Sequence, residues 1–166
     1  MKAFRLNAWL ILVAVFGGSL AVEGLSAQGR EPPFWVAVRY DEARMRVGPS
    51  TDFPIDWVYR RQGMPMMVIR EREGWYLVRD PEGTQGWIAS TQLVRKRMVM
   101  VSGEGLTTLR AGPQANAKVN WRAQPGVVAS LLRCRETWCE IDVSGRSGWV
   151  EAARLWGDEE LVASGG

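Results

Sequence analysis

The chain contains no histidine. That removes Ser-His-Asp and Cys-His nucleophile schemes, and it removes the imidazole ligands of the usual zinc sites. Cysteine is nearly as scarce. Cys134 and Cys139 are the only two, and no other soft ligand is present to complete a thiolate zinc site. No glycine-rich phosphate loop occurs, and no segment carries a helical period. Charge of one sign is also lacking: net charge is +3, and acids and bases interleave, as in Arg70-Glu71-Arg72-Glu73. A nucleic-acid binder gathers its cations into a block or stripe, so nucleic acid is not the expected partner. The one run of three basic residues, Arg95-Lys96-Arg97, reads as a solvated linker. Two carboxylate pairs, Asp52/Asp56 and Asp80/Glu82, have the residue types of glycoside hydrolysis. Acids in β loops are more often turn formers. No enzyme, catalytic residue, metal or cofactor is therefore expected.

What the chain has is an N-terminal apolar run, nine tryptophans and a repeat. Lys2 and Arg5 precede Ala8 to Phe16, and small residues follow at Gly17, Gly18, Ser19 and Ala21. This is the pattern of a secretory signal, with cleavage after Ala21 or Ala27. The run is short for a membrane span, so no stable membrane anchor is expected after cleavage. Residues 1–27 are assigned to the signal peptide and 28–34 to a flexible, Pro-bearing leader, with order beginning at Phe34-Trp35.

The repeat dominates the remainder. Arg46-Val47-Gly48-Pro49 returns as Arg110-Ala111-Gly112-Pro113, and Gly86-Trp87-Ile88 as Gly148-Trp149-Val150. The spacing is 64 at Arg46/Arg110 and Trp57/Trp121, 63 at Trp75/Trp138, and 62 at Gly86/Gly148 and Leu93/Leu155. Single-residue steps of this kind belong in loops, because a slip within a strand turns every side chain to the wrong face. Each copy reads as short alternating strands with close turn signals, such as Asp80-Pro81-Glu82-Gly83. Residues 50–57 read as a long excursion ending at Trp57, and Ala89 to Gln92 as a 3₁₀ turn. The expected fold is all-β, two small barrels in tandem, at 35–95 and 96–157, with a disordered tail over 158–166. At roughly 60 residues each module is marginal alone, and large aromatic side chains compensate.

The ordered set Arg46-Val47-Gly48-Pro49-Ser50, Gly74-Trp75, Gly86-Trp87-Ile88 and Leu93, present twice, resembles the bacterial SH3-like (SH3b) domain. The resemblance covers about residues 36–157. It implies tandem SH3-like β-barrels, and binding of cell-wall peptide or of an envelope protein rather than catalysis.

Cys134 and Cys139 flank Arg135-Glu136-Thr137-Trp138 at a hairpin. That spacing sets them opposite one another, within reach of a disulfide, and export supplies an oxidising compartment. The candidate ligand-binding residues are Trp57, Tyr59, Trp75, Trp87, Trp121, Trp138 and Trp149, more aromatics than two small cores need. The function expected is a non-catalytic binding module of the periplasm or cell exterior. The alternatives are a structural adaptor docking through sheet edges and, last, a cell-wall-modifying enzyme.

Overall fold

A computed structural model describes residues 31–159. The export-signal reading (1–27), the start of the leader (28–30) and the tail from 160 lie outside the described residues. Among the described residues no helix is long and apolar enough to cross a membrane.

The first module runs β1 (Phe34–Val38), β2 (Ala43–Arg46), β3 (Ile55–Tyr59), β4 (Pro65–Arg72), β5 (Trp75–Arg79), β6 (Gln85–Ala89), a 3₁₀ turn (Ser90–Gln92) and β7 (Leu93–Val94). The second runs β8 (Met98–Val101), β9 (Thr107–Arg110), β10 (Val119–Ala123), β11 (Val128–Arg135), β12 (Trp138–Val143), β13 (Arg146–Glu151), a 3₁₀ turn (Ala152–Arg154) and β14 (Leu155–Trp156). Strand order is β3-β2-β6-β5-β4-β1-β7 in one sheet and β10-β9-β13-β12-β11-β8-β14 in the other. Adding seven to each label of the first order yields the second. The chain is thus all-β, one antiparallel topology built twice.

Strand alternation places the same positions inside both copies. Val36, Val38, Met45, Val68, Val78, Ile88 and Leu93 fill the first core. Val99, Val101, Leu109, Leu131, Ile141, Val150 and Leu155 take the matching places in the second. The one-residue length steps do lie in loops. Residues 60–62 stand against 124–125, and the 80–84 loop against the tight turn 143–146, whose ends Val143 and Arg146 pair as the last rung of β12 and β13. The structure adds a third step of opposite sense, 39–42 against 102–106, ahead of the first sequence landmark.

The repeated motif residues have mechanical roles. The Arg46 guanidinium donates to the Phe53 carbonyl, and that of Arg110 to the Ala117 carbonyl. Backbone bonds from Val47 N–H to the Pro54 carbonyl (3.3 Å) and from Ala111 N–H to the Lys118 carbonyl (2.9 Å) close the same excursion. Gly86 and Gly148 lie where a neighbouring strand leaves no room for a methyl. A Cβ at Gly86 would sit 2.4 Å from Met45 Cγ, and one at Gly148 2.8 Å from Leu109 Cβ. The Gly of each Gly-Trp pair is a packing requirement.

One element differs from the sequence reading. The excursion returns as an edge strand, β3, paired only with β2. It carries Asp56 at a bulge and is exposed over most of its length, so period-two patterning does not mark it.

The modules meet directly. Only residues 95–97 separate β7 from β8. The Trp35 ring meets the Trp156 ring edge-on, with centroids 4.5 Å apart and planes at 86°. Arg61 donates to the Gly126 carbonyl across the seam.

Candidate functional site

A cleft of about 770 Å³ opens at the seam, with walls from both modules. The β3 strand and the loop after it supply Trp57, Tyr59, Arg60 and Arg61; the second module supplies Met100, Gly126 and Trp156. Trp57 is 58% exposed. Its repeat partner Trp121 behaves otherwise: it packs against the second core and its indole Nε1–H donates to the Ser147 carbonyl at 3.1 Å. The Arg146 guanidinium stands 5.3 Å from that ring. The cause lies two residues on. The core place that Ala123 holds in the second module is taken by the much larger Tyr59 in the first, and Trp57 is left outside.

Tyr59 itself is core, 4% exposed. Its hydroxyl donates to Asp80 Oδ2 at 2.8 Å, and Asp80 Oδ1 accepts from the Thr84 N–H at 2.7 Å. Burial, then the bond to Asp80, push the phenol far above its ordinary pKa. Asp80 is consequently a brace for the 80–84 loop. Asp52 has a comparable local role, accepting from the Ser50 hydroxyl at 2.9 Å in the excursion.

The other candidate aromatics divide. Trp75 and Trp87 lie on one outer face, since Leu77 opposes Trp87 and Trp75 is two residues from Leu77. Both are half-buried. Trp149 matches Trp87 but is only 5% exposed. The guanidinium groups of Arg133 and Arg135 stand 5.3 Å and 5.9 Å from its ring, and Glu140 anchors Arg133 at 2.7 Å. In the first module Leu77 takes the place of Glu140, so that anchor is missing. Trp138 is half-buried at the start of β12, on a different face from the cleft. The structure therefore brings Trp57 and Tyr59 to one cleft and disperses the remaining candidates. Sequence reasoning passed over Trp35, Trp156 and Arg61, because their roles depend on how two modules dock.

Cys134 and Cys139 form the expected disulfide. They are direct partners across β11 and β12, with Cα atoms 4.0 Å apart.

No curated protein sequence matches the chain. Solved structures similar to it include NlpC1 and NlpC2 from Trichomonas vaginalis, each at 10% identity. The NlpC1 alignment covers 75% of this chain and 46% of the other, with a TM-score of 0.33. The NlpC2 alignment covers 77% and 49%, with a TM-score of 0.34. The chain thus spans about half the length of these two proteins. The family model described as the bacterial SH3 domain matches residues 39–94 and again 104–157, the two modules in turn. With the motif residues, the duplicated topology and both matches in agreement, the chain belongs to the bacterial SH3 domain family.

Proposed function

We propose that the protein is an exported, non-catalytic tandem binding module of the bacterial cell envelope. It takes cell-wall peptide, or an extended segment of a partner protein, in the seam cleft against Trp57. The observation that carries this reading is the exposure of Trp57 on a cleft shared by both modules, while its twin Trp121 is half-buried against the second core. A large flat ring left uncovered beside cationic side chains suits a ligand with both apolar and anionic groups. Arg60 and Arg61 supply the cations, with Arg60 3.9 Å from Glu42 and Arg61 bonded to the Gly126 carbonyl, and Glu82 adds a carboxylate to the lining. The first module is the reader on this view, and the second is chiefly its brace. Bacterial SH3 domains are binding modules, which supports the class of function. The disulfide and the signal-like N terminus support export. Absence of histidine and the engagement of Asp80 in a structural bond favour a non-catalytic role.

Retention of the protein on insoluble peptidoglycan tests the proposal, with tryptophan fluorescence as a second readout. Trp57→Ala should weaken retention at least tenfold, or about 1.4 kcal/mol. Being exposed, it should leave stability within about 0.5 kcal/mol of wild type. Undiminished retention would remove Trp57 from the site. A structural adaptor is the second reading, favoured by Phe53 and Ile55, which are exposed beside the free edge of β3. It predicts no retention on peptidoglycan. It predicts instead a stable complex with a single envelope protein, lost on Ile55→Arg.

A further inference from the structure

We propose that the hollow beside the 3₁₀ turn of the first module is a separate binding site for a phosphate group. The hollow encloses about 280 Å³. Arg39 and Arg95 line it together with Ser90, Thr91 and Tyr76, next to apolar Val36 and Leu93. No carboxylate is part of the lining.

Both guanidinium groups are held in place by contacts that leave their charge uncompensated. Arg39 Nε donates to the Leu93 carbonyl at 3.1 Å, which leaves both terminal amino groups to donate elsewhere. Arg95 Cζ stands 4.2 Å from the centre of the Phe34 ring, a contact that uses no N–H. Among the described residues neither side chain pairs with a carboxylate. Only two acidic side chains, Glu23 and Glu160, lie outside those residues. The hydroxyls of Ser90, Thr91 and Tyr76 likewise have no protein partner among the described residues, and each can donate. Two like charges on one small hollow repel one another. A phosphate monoester near neutral pH brings close to two negative charges and three acceptor oxygens. That matches two guanidinium forks and a set of hydroxyls. A carboxylate, with a single charge and two oxygens, leaves part of the set unused.

The second module shows that the barrel does not need these groups. Strand register and the matching turn put Ser102 in the place of Arg39, Cys139 in that of Tyr76, and Gly157 in that of Arg95. Ala152 and Ala153 take the places of Ser90 and Thr91. The apolar residues persist, as Val99 for Val36 and Leu155 for Leu93. Both cations and the turn hydroxyls are gone while the core beneath them is kept. The polar set is thus an addition to the first module rather than part of its packing.

The test is a titration of the protein followed by NMR, reading the Ser90 and Thr91 amides and the arginine side-chain N–H signals. Inorganic phosphate, glycerol 3-phosphate and acetate are the probes, at constant pH and ionic strength. Saturable shifts at Ser90 and Thr91 are expected with both phosphates and not with acetate, and the Ala152 and Ala153 amides should stay still. Tighter binding of glycerol 3-phosphate than of inorganic phosphate points to a phosphate ester as the source. Equal or weaker binding points to the free ion. Arg39→Gln and Arg95→Gln should each weaken binding about tenfold or more, through the loss of charge-assisted hydrogen bonds. Lys96→Gln, in the same linker but outside the lining, should leave it unchanged, as should Trp57→Ala in the seam cleft. Should Arg39→Gln fail to fold, the pair Ser90→Ala and Thr91→Ala replaces it, since the second module carries alanine at both places of the same turn. Weaker binding is again expected. Equal shifts from acetate, no saturable shift from either phosphate, equal losses from Lys96→Gln and Arg95→Gln, or undiminished binding by the lining variants would overturn the proposal.

Discussion

Tyr59 occupies a position where a hydroxyl is costly unless it is bonded. In the first core its O–H reaches Asp80, a carboxylate that is itself 4% exposed and otherwise held by the Thr84 N–H. Tyr59→Phe would keep the ring and leave one Asp80 oxygen short of a donor, at a cost of about 1–3 kcal/mol. Urea unfolding monitored in wild type and variant measures it; equal midpoints would show that water replaces the bond. The same pair sets an alkaline limit. The folded phenol has a pKa raised above its unfolded value near 10. Its contribution is complete below about pH 10 and is lost as pH rises toward the folded pKa. Tyr59→Phe should abolish that part of the alkaline slope. In the sequence Tyr59 reads as one more surface aromatic and Asp80 as a turn former. The second reading is correct but partial, because the partner that buries Asp80 stands 21 residues earlier.

The hairpin of β11 and β12 is where the two copies differ most in covalent structure. Glu71 and Tyr76 are cross-strand partners in the first module, and Cys134 and Cys139 take their places in the second. The disulfide closes a loop of few residues, so its entropic contribution falls toward the low end, about 2 kcal/mol. Replacing both cysteines with serine should lower the second module's stability by about that amount. Hydrogen exchange should show protection lost in β11 and β12 and unchanged in β4 and β5. Uniform loss in both modules would contradict a local staple. This element was legible because a hairpin's pairing follows from its turn and the cysteine spacing. So were the meander strands, whose alternation matches their burial. The edge strand β3 was not, since Asp52, Pro54 and Asp56 give a loop's composition to a segment that binds one neighbour only. The bulges at Ile69 and Leu132 were likewise hidden. Each places a large apolar side chain outward, 37% and 50% exposed, and composition alone reads such residues as core.

At the scale of the whole molecule the question is whether duplication made two independent bodies or one. Each module is near the size at which a single core is marginal, and only the second has a disulfide. The first has the Trp35–Trp156 contact and the Arg61 bond to lean on. Edge-to-face aromatic pairs contribute about 0.5–1.5 kcal/mol beyond the area they bury. Stability should therefore pass from the second module to the first through the seam. Trp156→Ala removes one ring of the pair. It should lower the unfolding temperature of the first module while the second, with its own core and disulfide, changes little. Calorimetry should then resolve two transitions, where the wild type, coupled through the seam, is expected to show one. Trp156 also lines the cleft that holds Trp57, so the same variant should weaken peptidoglycan retention even at temperatures where both modules remain folded. A single unshifted transition in the variant would mean that the modules are stable separately. The cleft would then be a gap between neighbours rather than a site that their docking builds.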